Sequence, residues 1–426
     1  MLVILTSCLT YYERTQKFHN SFEHGNFEAA KETLASADEA KDKDRLLHYF
    51  NLGVTEFMLG NYQVSNEHFE DAYRMVETEQ QETAKKVATL LSNPRIQTYL
   101  GEDHEILLIH YFKALNFLFM GNYDKALVEC RRLNIKLTEL NDKYKNKNRY
   151  KRDAFSHLLM GLIYDANQDY NNAFIAYRNA YDIYQEDYLK HFNNRPPVQL
   201  QKDMLRAADK AGLSYELKQY QKEFDINYKR DHGDQGSLVF FWHNGLGPIK
   251  KEIILNFVLV RGSGGALMFR NDKYGWTFPV PTNQKKVKSE LSDVEFIKMA
   301  LPRYSERPPI FKSAALHHNG SVNQFELSEN INAIAFRTLR DRVFREMGNA
   351  LMRLATKKAA EYTLRSENEG LGALLGAINA LTEHANTRNW QTLPHSIYYS
   401  RMWLPKGKQD VQLVTKNGQG GRPNGF

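Results

Sequence analysis

A short triplet, Gly-Asn-aromatic, recurs along the first half of the chain and constrains its fold more than any other feature. Three copies begin at Gly25, Gly60 and Gly121, and a degenerate copy, Gln-Asp-Tyr, begins at Gln168. In each copy a small residue follows the aromatic by three positions. Gly and Asn both tolerate the left-handed conformation in which many helices end. The triplets therefore predict four helical hairpins, each turning at its triplet.

The residues around the triplets have the spacing of helix pairs that cross closely. Gly and Ala at a crossing let two helices approach, and aromatic side chains fill the space beside them. The residues predicted to pack in this way are Gly53, Ser65, Phe69, Ala72, Ala126, Gly161, Tyr164, Ala173, Tyr177 and Ala180. Their offsets resemble those of the tetratricopeptide repeat (TPR), and the resemblance implies an all-α solenoid over residues 18–230. Ordinary helical hairpins that form no superhelix are the alternative.

A solenoid of this kind has a concave groove, and the ligand predicted for the groove is a protein or peptide. After residue 230 the pattern changes to short runs of β-branched or aromatic residues, separated by Gly and Asn turns. The strand-like runs are 237–242, 252–261, 266–270, 313–317 and 322–327. An amphipathic helix is predicted from 331 to about 366. We therefore expect an α+β domain over 231–410, with a small antiparallel sheet and a long covering helix.

The two ends of the chain are predicted to lie outside these domains. Residues 411–426 predict a final strand followed by a flexible tail. Residues 5–8 read Leu-Thr-Ser-Cys and resemble a bacterial lipobox, in which small residues precede a cysteine that accepts lipid. The resemblance implies that residues 1–17 are a signal remnant and tether, with Cys8 attached to a membrane through lipid. A buried N-terminal strand is the alternative.

Two clusters in the second half combine aromatic side chains with Arg or Lys near a proline, as recognition surfaces often do. The residues predicted to bind a partner are Trp242, His243, Pro248, Lys250, Arg388, Trp390, Pro394 and Arg401. The alternative is that Trp242 and Trp390 are core residues whose indole N–H is hydrogen-bonded.

Both clusters contain motifs that resemble a family of TPR-containing bacterial outer-membrane lipoproteins. The motifs are Gly-x-x-Pro-x-Lys at residues 245–250 and Arg-x-Trp-x-x-Leu-Pro at residues 388–394. The resemblance implies a lipoprotein of the outer membrane that faces the periplasm. Genes of this family lie near the gene of a penicillin-binding-protein activator lipoprotein, which implies partners in peptidoglycan synthesis. No catalytic residue comes with the resemblance.

Composition and motifs favour binding over catalysis. The formal charge of +7 is spread over 426 residues, so no nucleic-acid partner is predicted. No Cys and His residues have metal-ligand spacing, and no Walker motif or nucleophile elbow occurs, so neither a metal nor a cofactor is predicted. The sequence predicts a protein that binds or scaffolds partners in envelope or peptidoglycan assembly. The alternative is a hydrolase-type envelope enzyme with its active site in the C-terminal α+β domain.

Overall fold

The computed structural model describes residues 13, 15–36, 42–85, 97–145, 148–229, 235–261, 267–279, 296–367 and 384–417. They form a helical part (residues 16–224) and a sheet part (residues 236–417). This division confirms the predicted order of a helical-repeat half and a sheet-containing half. Cys8 lies outside the described residues, so the lipid attachment stays a prediction. Along the described residues, no helix combines the length and the apolarity needed to cross a membrane.

The helical part is a series of antiparallel helix pairs, α1–α2, α3–α4, α5–α6, α7–α8 and α9–α10. After α8 the chain continues in a wider π-helical turn at Tyr184–Tyr188 and ends in a short α-helix at Leu189–Phe192. The bounds are α1 Gln16–Glu23, α2 Phe27–Ser36, α3 Arg45–Met58, α4 Tyr62–Lys85, α5 Asp103–Phe119, α6 Tyr123–Lys143, α7 Ala154–Ala166, α8 Tyr170–Ile183, α9 Val198–Lys210 and α10 Ser214–Phe224.

Each pair turns at one residue with a positive φ angle. The turning residues and their φ values are Gly25 (76°), Gly60 (80°), Gly121 (71°), Gln168 (61°) and Gly212 (74°). At the second hairpin the Gly60 N–H donates to the Phe57 carbonyl, and the next N–H reaches the carbonyl one residue earlier, as in a Schellman motif. Asn122 and Asp169 then cap α6 and α8 with their side chains. The four predicted hairpins are confirmed, and Gly212 adds a fifth.

The helices of a pair meet where their side chains are smallest. A Cβ atom added to Gly53 would lie 2.7 Å from the ring of Phe69, and one added to Gly161 would overlap the ring of Tyr177. The Ser65 hydroxyl donates to the Gly53 carbonyl at 2.7 Å across the same crossing. Fully buried residues at these crossings are Ser65, Phe69, Ala72, Ala126, Ala173, Tyr177 and Ala180. Tyr164 is half-buried and accepts a hydrogen bond from the Arg131 guanidinium at 2.9 Å.

The sheet part contains three antiparallel sheets among the described residues, where one small sheet was predicted. Their strand orders are β1-β9-β8, β10-β6-β7 and β4-β3-β2-β5. The strands are β1 Gly236–Leu246, β2 Ile249–Arg261, β3 Leu267–Asn271, β4 Trp276–Pro279, β5 Phe296–Ser305, β6 Phe311–His318, β7 Ser321–Gln324, β8 Glu326–Glu329, β9 Pro394–Leu404 and β10 Gln412–Asn417. Strands β4, β5 and β9 were not predicted. The final strand, β10, pairs with β6 and so belongs to the sheet part.

A long helix, α11 (Ile331–Glu367), follows β8. Met347 and Leu351 on this helix are buried against the β4-β3-β2-β5 sheet, beside Phe257 and Leu301. The first turn of α11 joins a different cluster, because Ile331 and Ile334 pack with the core of the helical part. The helix therefore connects the two parts of the molecule.

One hydrophobic core runs from the helical part into the sheet part. It includes Trp390, Leu393, Ile397 and Tyr399 together with the buried residues of α3 to α9. One face of the helix pairs is thus covered by the chain's own second half.

Candidate functional site: an occupied groove and an open cleft

Residues 388–393, which we call the clasp segment, pack against α3 to α5 of the helical part, in a space that we call the groove. Trp390 is its central residue and is 1% exposed. Its ring stacks on Phe50 of α3 with 4.3 Å between centroids, and Phe69 and Phe112 lie within 6 Å. The indole N–H donates to the Thr392 hydroxyl at 2.9 Å. The clasp segment therefore fills the space between α3, α4 and α5.

Arg388 holds the start of the clasp segment in place. Its guanidinium donates to the Asp44 carboxylate at 3.0 Å and to the carbonyls of Lys43 and Gln97 at 2.8 Å. The same group lies 5.3 Å from the centre of the Tyr99 ring. A guanidinium has five N–H donors in a planar fork, against three on a lysine ammonium, so it can reach all of these acceptors at once.

A second ionic group links α5 to the sheet part. The Lys250 ammonium and the Arg342 guanidinium both pair with Glu102, the latter at 2.9 Å. Burial alone would raise the pKa of Glu102, but the charges of Arg342 and Lys250 outweigh it and hold the pKa at about 2. Burial raises the pKa of the neighbouring Glu105 to about 7. Glu105 nevertheless accepts the backbone N–H of Trp390 at 2.7 Å, so this carboxyl group also holds the clasp segment.

A third ionic group lies where β9 crosses α7 and α9. Arg401 of β9 pairs with Asp165 at 3.0 Å and with Asp203 at 2.9 Å. The Tyr399 hydroxyl also donates to Asp203, and Arg206 pairs with Asp165. All of these side chains are buried, so each charge depends on its partners for stabilisation.

The residues that the sequence singled out as partner-binding candidates make contacts within the chain, most of them at this internal interface. His243 contacts Tyr111 of α5, and the Tyr111 hydroxyl lies 2.8 Å from the ring nitrogen Nε2 of His243. Trp242 faces the other way, against Tyr398 at 5.0 Å. Pro248 accepts a hydrogen bond from Asn389 at 2.9 Å, and Pro394 pairs with Leu246 between β1 and β9.

These contacts are made within the chain, so the two clusters do not form an exposed recognition surface in this structure. The alternative reading of Trp390 as a core residue with a bonded indole N–H matches its surroundings. Sequence reasoning missed the carboxylates Asp44, Glu102 and Asp203. A carboxylate on a predicted helix is expected to face solvent unless a buried cationic partner is known. The partners of these carboxylates lie more than a hundred residues away in the sequence.

The sheet part also has an open cleft of about 600 Å³ between α11 and the β4-β3-β2-β5 sheet. Leu301, Leu339 and Val343 line its base, and Leu301 and Leu339 are buried. Its aromatic walls are Tyr274, Trp276, Tyr304, Phe336 and Phe344. Trp276 stacks on Tyr274 at 4.9 Å and meets Phe344 edge-on at 4.8 Å.

The ionisable groups of the cleft are mostly cationic. Arg303, Arg337, Arg340 and His191 line it, and no carboxylate, Cys, Ser or Thr is among the described lining residues. Arg337 donates to the His191 carbonyl at 3.3 Å. Such a cleft lacks the paired acid and base of a hydrolytic site but suits an anionic ligand. Within the described residues, no three His, Cys, Asp or Glu side chains converge as metal ligands would.

Comparison with solved structures finds TPR-like repeat proteins that match about half of this chain. The apo form of RapI covers 51% of this chain and 69% of its own length, at 13% identity and a TM-score of 0.35. The MamA protein covers 51% and 96%, at 15% identity and a TM-score of 0.32. A putative kinesin light chain of Podosopora anserina with TPR-like repeats covers 51% and 96%, at 16% identity and a TM-score of 0.32. This likeness concerns the arrangement of helices alone. No family model and no curated protein matches the chain.

Proposed function

We propose that this protein is a lipid-anchored scaffolding protein of the bacterial envelope, in which the helical repeats hold the sheet part on one face and present another face to partners. The observation that supports this is Trp390, which is buried in the groove where a repeat protein would bind a peptide. A partner that entered the groove would have to displace this ring and the ion pair between Arg388 and Asp44. We therefore place partner binding on the outer surfaces of the repeats.

The outer face of α6 is the surface we favour for a protein partner. Val128 and Ile135 are 41% and 58% exposed and lie two helical turns apart, on one face of the helix. A partner helix or strand that packs on these exposed apolar side chains would bury their surface.

The envelope location rests on the lipobox-like residues 5–8 and on the two motifs shared with outer-membrane lipoproteins. Partners in peptidoglycan synthesis follow from the same resemblance. The anchor is tested by feeding labelled palmitate to bacteria that express the chain. We expect label on the parent protein and on a Cys130→Ala control, and none on Cys8→Ala. Equal labelling of all three proteins would remove the anchor from the proposal.

The partner surface is tested in the full chain with a photo-crosslinking amino acid placed at one position at a time. Probes at Val128 and Ile135 should form crosslinks to other proteins in the envelope. A probe at Phe241, which faces Phe155 across the internal interface at 5.6 Å, should form crosslinks only within the chain. If Phe241 captures a partner while both outer positions capture none, the groove is the binding site and the presentation model is wrong.

A further inference from the structure

One face of α11 lines the open cleft. Ala333, Arg337, Arg340 and Phe344 recur at intervals of three or four residues, and Phe336 stands next to Arg337, which places all five on the same side of the helix. Phe336 is 37% exposed although it is a large apolar residue. This face therefore offers apolar area and positive charge side by side.

The charges of the cleft are not compensated within the described chain. Arg303 and Arg340 are exposed, and neither forms an ion pair with a described carboxylate. Arg340 instead lies over the Phe344 ring, with 5.7 Å to its centre. The pKa of His191 is lowered, first by burial and then by the positive charges of Lys190 and Arg337. The opening of the cleft thus carries a positive potential that an anion would relieve.

We propose that this cleft binds a single lipid-like anion, with an apolar chain between the aromatic walls and a carboxylate or phosphate head at Arg303 and Arg340. The volume of about 600 Å³ lies within the usual range of small-molecule pockets. A small inorganic anion would leave Trp276 and Phe344 uncovered, and a neutral chain would leave the guanidinium groups without a partner. An amphiphile satisfies both halves of the site. This site is independent of the N-terminal anchor, because its lining residues lie in the sheet part except for His191, which lies in the short helix after α8.

The test is calorimetric titration of the full chain with dodecyl phosphate, dodecanol and inorganic phosphate. We expect one saturable site for dodecyl phosphate and at least about tenfold weaker binding of the other two probes, because each satisfies only one half of the cleft. Absence of saturable binding by dodecyl phosphate would overturn the proposal. So would equal binding of dodecyl phosphate and dodecanol, since it would show that the head group makes no contact.

Variants locate the site. Arg303→Gln and Arg340→Gln should each weaken dodecyl phosphate binding about three- to tenfold, because exposed charge pairs are screened by water. Both arginines are exposed, so both variants should keep the parent unfolding curve. Arg270→Gln is the matched control, since Arg270 pairs with Asp272 outside the cleft and should leave the affinity unchanged. Phe336→Ala should weaken dodecyl phosphate and dodecanol alike. If the arginine variants bind as tightly as the parent, the ligand lies elsewhere and the proposal is wrong.

Discussion

The groove of the helical part and the cleft beside α11 are both concave, aromatic and rich in cations, but only the groove is occupied by the chain itself. Three buried cations of the sheet part have a carboxylate from the helical part: Arg388 has Asp44, Lys250 has Glu102 and Arg401 has Asp203. In the cleft, Arg303 and Arg340 have no such partner among the described residues. Buried charges need partners because leaving water costs several kcal/mol per ion. Aromatic residues beside arginine therefore do not identify a binding surface until the complementary carboxylates have been located.

The largest effect should come from Trp390→Ala. The substitution removes a fully buried indole from between Phe50, Phe69 and Phe112, so we expect the free energy of unfolding to fall by about 3–5 kcal/mol. Trp276→Ala in the half-buried wall of the cleft is the matched control and should cost much less. Urea unfolding of the full chain followed by circular dichroism measures both. Similar losses for the two variants would mean that the groove and the cleft are equally packed, which would break the comparison.

Arg388→Met should have the next largest effect. It leaves the buried Asp44 carboxylate without its cation, and we expect a loss of about 3 kcal/mol in the free energy of unfolding. Arg340→Met, at an exposed cation of the cleft, should change it by less than about 0.5 kcal/mol.

A double-mutant cycle with Asp44→Asn separates the ion pair from the packing of the arginine stem. The two changes together should cost less than the sum of each alone. Strict additivity would show that the pair is not what fixes the clasp segment.

The helical hairpins could be predicted from the sequence because the signal is local. A left-handed Gly beside a capping Asn acts within one turn, whatever the rest of the chain does. The fifth hairpin was missed because Gly212 is followed by Leu213 and Ser214, which lack the Asn and the aromatic of the other copies. Gly212 is therefore the one residue of this hairpin that fits the triplet pattern.

The interface could not be predicted because its contacts join distant positions. Trp390 and Phe50 are brought together only when the sheet part docks, and no periodicity relates the two residues. The cleft was missed for a similar reason. Arg337 and Arg340 on an amphipathic helix look like a solvated face, and β4, which carries Trp276, is only four residues long.

Two glycines should respond in opposite directions to the same change. Gly161→Ala places a methyl group against the Tyr177 ring, so we expect a loss of about 1–3 kcal/mol from overpacking. Gly348→Ala in α11 meets nothing within 4 Å and should stabilise the protein by up to about 1 kcal/mol, because Ala favours a helix more than Gly does. Thermal unfolding of each variant shows whether its stability has fallen or risen relative to the parent. A loss at Gly348 would mean that α11 packs as tightly as the repeat helices.

His104 should make the stability of the protein depend on pH; it lies between α5 and α11, with its ring nitrogen 3.3 Å from the Thr338 hydroxyl. Burial lowers its pKa from 6.5 to about 4. Between these values the unfolded chain binds a proton that the folded chain does not, so stability falls as the pH falls from 6.5 to 4. From pH 6.5 to pH 5 this group should account for up to about 2 kcal/mol.

The His104→Asn variant should therefore lose less stability than the parent over that interval, when urea unfolding is measured at both pH values. His24→Gln changes an exposed histidine of the first hairpin and should keep the parent's slope of stability against pH. Because His104 lies where the helical part meets α11, its contribution to the slope reports whether that contact excludes water as the groove does. An unchanged slope in His104→Asn would place water at this end of the interface and make it resemble the open cleft.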